Sequence, residues 1–148
     1  IQEGELCIKG DPVMMGYYKE PELTAEVLDA GAWFHTGDLA RIDEYGYYYI
    51  TGRKKNLIIL ASGENVSPEE LEARLNQCEG VTESLVREEN GKIGALVYCG
   101  ENVPGAAEKV QAYVTELNRT LPLYKRISAV HLSDGPLPRN AAGKLLRS

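Results

Sequence analysis

The sequence predicts an α+β protein in two parts: an antiparallel β-rich segment, then a small αβ domain with a three-stranded sheet and two packed helices. The charge changes sharply around Thr51–Lys55. Residues 1–50 hold ten acidic and three basic side chains, whereas residues 51–60 hold three basic ones and no acidic one. The hydrophobic pattern also changes there from strand-like to helical. Such a step indicates a boundary, which we place between residues 1–52 and 53–148.

Composition narrows the class of protein further. The 148 residues are 43% hydrophobic and 26% charged, which is typical of a globular domain and excludes a disordered chain. The net charge of -6 argues against general nucleic-acid binding. The last stretch, residues 121–148, reverses this balance with five basic side chains and one acidic one, which favours a small anionic ligand.

Cysteine and histidine usage predicts no metal site. Cys7, Cys78 and Cys99 are odd in number and form no C-x-x-C pair, so neither a disulfide framework nor a zinc site is indicated. His35 and His131 have no partner at metal-ligand spacing, and we interpret both as structural. These features favour a reducing, cytoplasmic location.

The ends of the sequence suggest a piece of a longer protein. The chain begins at Ile1 and is already strand-like by Glu5. No run approaches the roughly 20 apolar residues of a membrane helix, and no charged-then-apolar leader is present. From the start at Ile1 we expect further sequence upstream. From the lack of a long apolar run we expect no transmembrane segment.

The first part is predicted to be mainly antiparallel β-structure. Pro21–Asp29 has the Pro start of a short helix, and Trp33-Phe34 are expected to pack into a core. A turn at residues 44–46 should join the second and third strands, and a sheet this small would have open edges. The strand-like runs are Gly4–Lys9, Leu39–Asp43 and Tyr47–Thr51.

Beyond the boundary the predicted order is β, α, β, β, α, β. The first helix should begin with Ser67 as N-cap and Pro68 in its first position, with Glu70 completing a capping box, and end at Gly80. The second helix follows Pro104 and buries a stripe at three-and-four spacing. The predicted strands are Leu57–Leu60, Val81–Glu88, Lys92–Cys99 and Arg126–Leu132. The second and third of these flank Asn90-Gly91, a dipeptide typical of a tight hairpin turn.

Two short motifs suggest chemistry, although each has a commoner structural explanation. Asp38 lies in a Thr-Gly-Asp turn, where a carboxylate can accept hydrogen bonds from two ribose hydroxyls, yet such an Asp is more often satisfied by its own backbone. Lys144 follows Gly143, but the full phosphate-loop spacing is absent. Arg53 offers a fixed fork of donors suited to phosphate or vicinal hydroxyls, although it also suits a solvated turn.

Taken in order, these stretches resemble the carboxyl-terminal part of the adenylate-forming superfamily, which includes acyl-CoA synthetases, luciferases and the adenylation domains of peptide synthetases. The resemblance covers nearly the whole chain, and several motifs in register are more specific than any one. The matching stretches are Gly4-Glu5-Leu6, Trp33 to Leu39, Gly52-Arg53, Gly63 to Val66, Pro68 to Glu72, Leu137-Pro138-Arg139 and Gly143-Lys144.

The resemblance implies an enzyme that joins a carboxylic acid to a thiol, using ATP, CoA and Mg²⁺. Asp38 then looks like the ribose-binding carboxylate, and Arg53 like the arginine beside ribose and phosphate. Lys55 occupies the hinge position, and Lys144 looks like the lysine that neutralises charge between carboxylate and α-phosphate. Gly63 lies where the pantetheine of CoA passes close to the backbone.

The resemblance also implies what this sequence lacks. Ile59 stands where some relatives carry a second lysine for the thioester step. In that family the phosphate loop, the acyl pocket and the Mg²⁺ site lie upstream of these stretches. Residues 1–52 should therefore be the end of a large adenylating domain, and residues 53–148 should be the mobile domain that follows it. The chain alone should be inactive. The stretch Thr51–Ile59 most resembles acyl-CoA synthetases for medium- to long-chain fatty acids. A domain that loads a carrier protein and a non-catalytic interaction module are the alternatives.

Overall fold

The computed structural model describes residues 1–101 and 103–147, and its fold is α+β as predicted. The chain divides into two compact units, Ile1–Asn56 and Leu57–Ser148, called unit 1 and unit 2 below.

Unit 1 is a three-stranded antiparallel sheet with one short helix. The strands are β1 (Glu5–Ile8), β2 (Phe34–Ile42) and β3 (Tyr48–Arg53), hydrogen-bonded in that order, and the helix α1 (Pro21–Val27) separates β1 from β2. Asp43 fixes the predicted β2–β3 turn, because its Oδ1 accepts the amides of two turn residues at 3.0 and 2.9 Å. The predicted hairpin is therefore confirmed.

The interior of unit 1 is small. Among its described residues, the buried hydrophobic side chains are Cys7 and Ala40, while many large apolar side chains are exposed. Trp33 is 37% exposed, so the prediction of a core tryptophan is wrong. Its amide is held by Asp29 at 2.9 Å in a surface turn, and the Lys9 ammonium lies 5.8 Å from its ring centre.

Unit 2 has the predicted order of elements with one extra short strand. A two-stranded ribbon, β4 (Ile58–Ile59) and β5 (Asn65–Val66), precedes helix α2 (Pro68–Leu75). Strands β6 and β7 pair antiparallel, and β8 pairs parallel to β7 after the crossover helix α3, as parallel neighbours require. Their bounds are β6 (Glu83–Glu89), β7 (Lys92–Tyr98), α3 (Ala106–Thr120) and β8 (Ile127–Leu132).

The β6–β7 hairpin turns at Asn90-Gly91, as the sequence predicts. Asn90 has φ 52° and Gly91 has φ 77°. Two successive positive φ values are the requirement of the tight hairpin turn that favours this dipeptide.

Helix α2 begins at Pro68, but the predicted capping box is wrong. Ser67 makes no side-chain cap hydrogen bond, and its hydroxyl instead donates to Glu69 at 3.2 Å. The carboxylate of Glu70 accepts a hydrogen bond from the Lys125 ammonium at 2.8 Å. A full positive charge is a stronger partner than the neutral backbone amide of a capping box.

The same helix also ends before the predicted residue. α2 stops at Leu75, and a series of turns continues to Gly80, which has φ +89°. Asn76 lies just past the helix and accepts the Ser84 hydroxyl at 2.8 Å. Gly80 therefore closes the turn before β6 and does not cap the helix.

Unit 2 contains the main hydrophobic core of the chain. The predicted stripe of α3 is buried, with Val110 and Val114 each 1% exposed, and it packs on the sheet together with Leu71 and Leu75 of α2. All three cysteines are free and buried, as expected of a chain without a disulfide framework. No helix within the described residues is long and apolar enough to cross a bilayer.

Candidate nucleotide-binding site and lysine loop

Asp38 and Arg53 form an ion pair across strands β2 and β3. The two residues are direct partners in the strand register, and Arg53 Nε lies 2.9 Å from Asp38 Oδ1. Their side chains are 26% and 48% exposed. A carboxylate has about four lone-pair sites, so Asp38 retains acceptor capacity for a further ligand while it is paired.

The prediction of a turn at Thr36–Asp38 is wrong, because these residues lie inside strand β2, where its register with β1 shifts. The Thr36 hydroxyl donates to the carbonyl of Leu6 at 2.7 Å and accepts the Asp38 amide at 3.1 Å. Gly37 has φ +72°, a conformation that favours glycine, and its amide donates to Glu5 Oε1 at 2.9 Å. Contacts with β1 and within the segment therefore hold Thr36–Asp38 in one conformation.

Glu5 lies at the centre of a charge network that sequence reasoning missed. Its side chain is 5% exposed, and Oε2 lies 2.9 Å from Lys54 Nζ and 3.2 Å from His35 Nδ1. Burial alone would raise the pKa of Glu5, but hydrogen bonds from Lys54, His35 and the Gly37 amide lower it below its ordinary value. The hydrogen bond between Glu5 and Lys54 also raises the pKa of Lys54. An acid at an inward strand position, beside Cys7, is the signal that could have revealed it.

His35 has partners on both ring nitrogens. Nδ1 lies 3.5 Å from Cys7 Sγ, and Nε2 lies 3.6 Å from Asp29 Oδ2. The hydrogen bond to Glu5 is the main reason why the pKa of His35 is raised, and Asp29 adds to it. The sequence shows no partner of His35 at metal-ligand spacing because strand pairing brings Cys7 opposite it from 28 residues away.

Glu5, Cys7 and His35 also form the one group within residues 1–101 and 103–147 whose ligand atoms are close enough to hold a metal ion. The Lys54 ammonium already gives the Glu5 carboxylate a cationic partner. A thiol and an imidazole do not suit Mg²⁺, which prefers oxygen ligands. The group therefore does not fit the Mg²⁺ that the family resemblance implies.

A cleft of about 590 Å³ opens beside this network within unit 1. Arg53, Lys54 and Lys55 contribute three cationic side chains to its wall, and the Thr36-Gly37 backbone forms another part. Lys55 lies in a single 3-10 turn, Lys54–Asn56, directly after β3. The structure thus brings the predicted site residues Arg53 and Lys55 to one cleft, and Asp38 is joined to Arg53 by the ion pair.

Gly63 lies in the exposed turn that joins β4 and β5. Its φ is +92°, and a Cβ built there would meet nothing within 4 Å. The turn is closed by the Gly63 amide, which donates to the Leu60 carbonyl at 2.8 Å. Backbone conformation alone therefore accounts for glycine here, with open space beside it.

Lys144 lies in a closed loop, Pro138–Leu146, called the lysine loop below. The Leu146 amide donates to the Pro138 carbonyl at 2.9 Å, and the Asn140 amide donates to the Lys144 carbonyl at 2.9 Å. Asn140 Oδ1 accepts the amides of Ala142 and Lys144 at 3.0 and 2.9 Å. The segment is irregular, as predicted, yet its backbone is held by internal hydrogen bonds, and Lys144 is exposed.

Comparison with known proteins identifies the family. The family described as "AMP-binding enzyme C-terminal domain" matches residues 55–148. A 2-succinylbenzoate–CoA ligase of Oceanobacillus iheyensis is 40% identical over 99% of this chain and 30% of its own length. A long-chain-fatty-acid–CoA ligase of Escherichia coli is 41% identical over 99% of this chain and 26% of its own length.

Solved structures agree with the sequence comparison. The O-succinylbenzoate coenzyme A synthetase of Bacillus subtilis, solved with AMP, has a TM-score of 0.76 and 31% identity over 97% of this chain and 29% of its own. The chain thus spans less than a third of the length of these relatives. The chain belongs to the family described as AMP-binding enzyme C-terminal domain, and the relatives named above are CoA ligases and a CoA synthetase.

Proposed function

We propose that this chain is part of an AMP-forming acid–thiol ligase that makes an acyl adenylate and then a CoA thioester. The observation that carries the proposal is the Asp38–Arg53 pair, a half-buried carboxylate joined to an exposed guanidinium at 2.9 Å, with Arg53 lining a cleft that holds three cationic and two acidic residues. Such an arrangement provides acceptors for ribose hydroxyls and donors for a phosphate. A module that only docks on a partner requires neither.

In the first half-reaction, the substrate carboxylate attacks the α-phosphate of ATP, and pyrophosphate leaves. Asp38 accepts hydrogen bonds from the ribose hydroxyls, and Arg53 lies beside the ribose and phosphate. Lys144 donates to the negative charge that develops between carboxylate and α-phosphate, a role for a preorganised cation. In the second half-reaction, the CoA thiol attacks the acyl carbonyl and AMP leaves.

Unit 2 is proposed to move between the two half-reactions. Lys55 occupies the short turn after β3, where a change of backbone dihedrals would reorient the residues beyond the turn. The exposed turn at Gly63 would let pantetheine approach the backbone during the thioester step. We place the end of the adenylating domain at residue 52 and the mobile domain at residues 53–148.

The rest of the enzyme is proposed to precede this chain and to cover unit 1. Unit 1 buries few apolar side chains and exposes an aromatic run, Tyr47 to Tyr49, which supports a further structural layer against its sheet. That upstream domain would supply the phosphate loop, the acyl pocket and the Mg²⁺ site, and we derive no Mg²⁺ step from the residues present. The odd number of cysteines, with no C-x-x-C pair, supports a cytoplasmic enzyme.

The proposed substrate is a medium- to long-chain fatty acid. A fatty-acid ligase of Escherichia coli and a succinylbenzoate ligase share 41% and 40% identity with this chain, so the support comes from the Thr51–Ile59 motif more than from overall similarity. Transfer to a carrier protein is the second candidate acceptor.

The test is an acid-dependent AMP release assay on the longer protein, with ATP, CoA and a panel of fatty, aryl and succinylbenzoate-type acids. We expect AMP and an acyl-CoA thioester with fatty acids of medium to long chain. AMP release with aryl acids alone would exclude the fatty-acid assignment. Thioester on a phosphopantetheine carrier protein but not on CoA would favour the second acceptor, and no AMP with any acid would contradict the ligase proposal.

A further inference from the structure

Two ion pairs attach the lysine loop to the body of unit 2. Near the start of the loop, Arg139 Nη2 lies 2.7 Å from Oε1 of Glu83, the first residue of β6. Just after the loop, Arg147 makes a bidentate pair with Glu72 of α2, at 2.8 and 2.7 Å. The loop that presents Lys144 is therefore held at both ends by arginines whose partners lie on regular elements.

The carboxylates that receive these arginines are themselves fixed. Glu72 is 7% exposed, and its Oε1 also accepts the Val86 amide at 2.8 Å. The Glu83 side chain is 15% exposed, and its Oε2 accepts the amide of Leu137, which is 3% exposed. Bidentate and charge-assisted bonds of this kind define orientation as well as distance. Each of the two ion pairs thus connects the lysine loop to a carboxylate that is itself held in place by a backbone amide.

Arg139 also acts inside the loop. Its Nη1 donates to the carbonyl of Gly143, the residue before Lys144, at 2.6 Å. One guanidinium therefore joins β6 to the peptide that leads into Lys144. The hydrogen bond from Arg139 is the main reason why the pKa of Glu83 is lowered, so the pair stays ionised at neutral pH.

We propose that Arg139 with Glu83, and Arg147 with Glu72, are positioning residues that set the place of Lys144 for the adenylation step. This inference rests on the proposed role of Lys144. A donor aids a transition state only when it is held in place before the reaction, and an exposed lysine on an untethered loop would lose that advantage. Neither arginine needs to contact substrate for this role.

The test compares Arg139→Met with Arg139→Lys in the longer protein, measured in both half-reactions. Arg139→Met should slow adenylation by about tenfold to a hundredfold, the cost of a misplaced group, while thioester formation from supplied acyl adenylate stays near wild type. Arg139→Lys keeps a cationic donor and should recover part of the loss. Arg119→Met is the matched control, because it breaks an exposed ion pair on α3, with Glu116 at 2.7 Å, and should change neither step.

A second measurement requires no activity. Amide hydrogen exchange on this chain should show the Lys144 and Leu146 amides protected, and Arg139→Met should release them while the β6–β7 amides stay protected. Unchanged protection, or an equal loss in both half-reactions, would overturn the positioning proposal. If Lys144→Ala slows adenylation but Arg139→Met does not, only the positioning is wrong. If Lys144→Ala has no effect, the assigned role of Lys144 fails and the positioning proposal fails with it.

Discussion

Asp38 and Arg53 are direct partners across an antiparallel pair of strands, with Arg53 Nε 2.9 Å from Asp38 Oδ1. The guanidinium neutralises the carboxylate and holds it in one orientation. Asp38 is thus preorganised, and a ligand that binds there need not order it. This relationship makes the carboxylate the best point at which to test nucleotide binding.

Asp38→Ala in the longer protein should weaken ATP binding more than acid binding. Two hydrogen bonds to a charged acceptor are lost, each worth roughly 1.5 to 3 kcal/mol. Titration calorimetry with ATP, and separately with the acid, measures both affinities. Asp11→Ala is the control, because Asp11 is an exposed acid of unit 1 outside the Asp38–Arg53 pair. An unchanged ATP affinity would remove Asp38 from the site.

The sequence predicted the elements of unit 2 well because its signals are local. A Pro after Ser starts α2, Asn90-Gly91 turns the hairpin, and a regular stripe marks α3. Some misses are local, such as the end of α2 at Leu75 and the surface position of Trp33, whereas the capping box fails through a non-local contact. Glu70 does not cap α2, because its carboxylate accepts a hydrogen bond from Lys125, which is 55 residues away in the sequence.

The site shows the same division between local and non-local information. Asp38 and Arg53 were predicted from motifs, but Glu5 and Lys54, which complete the network, are 49 residues apart in sequence. Their pairing depends on strand register, which a single sequence does not reveal. The two ion pairs of the lysine loop join residues that are 56 and 75 positions apart in the sequence. A single sequence does not reveal such pairs either.

His35 should titrate above its ordinary pKa of about 6.5. Glu5 is the main cause of the raised pKa, with Asp29 on the other nitrogen. A raised folded-state pKa means that protonated His35 stabilises the fold fully below pH about 6.5 and that this stabilisation is lost as pH rises through the folded pKa. Proton NMR titration of the ring protons measures the midpoint directly.

Assignment of that titration is simple because the chain has two histidines. His131→Gln leaves His35 as the only remaining imidazole, and Glu5→Gln removes its main partner. The midpoint should fall in Glu5→Gln. A wild-type midpoint at or below about 6.5 would contradict the charge network.

Unit 2 should fold by itself. Its core includes Val66, Leu71, Leu75 and Val97, each 0% exposed. Residues 57–148 alone should therefore show one cooperative thermal transition, and Leu71→Ala should cost about 2–5 kcal/mol of unfolding free energy. Circular dichroism of both variants provides the measurement, with exposed Leu123→Ala as the control. A non-cooperative transition in the wild-type fragment would show that unit 2 depends on the rest of the chain.

The 148-residue chain should not exchange pyrophosphate into ATP. The proposed site here lacks the phosphate loop and acyl pocket that would hold the reacting groups. An exchange assay with radiolabelled pyrophosphate, run with and without fatty acid, should give the buffer rate. Acid-dependent exchange by this chain would show that its residues suffice for adenylation and would overturn the proposed domain division.

Lys144 and Lys55 should affect opposite half-reactions in the longer protein. Lys144→Ala removes the charge that stabilises the adenylation transition state, so adenylation should fall on the order of a hundredfold or more. Conversion of a supplied acyl adenylate to thioester should stay near wild type, because that step is proposed to occur after Lys144 has moved away.

Lys55→Pro should give the reverse pattern. Proline fixes φ at residue 55 and restricts Lys54 before it, so the 3-10 turn Lys54–Asn56 loses the freedom to change between two arrangements. Adenylation should be retained if the fixed dihedral suits the arrangement for that step, and the thioester step should be slowed. Lys55→Ala removes the side chain but leaves the dihedrals free, and it should change neither rate greatly. Rapid-quench measurement of both steps in all three variants tests this, and an equal loss of both steps in Lys144→Ala and Lys55→Pro would exclude a mechanism with two arrangements of unit 2.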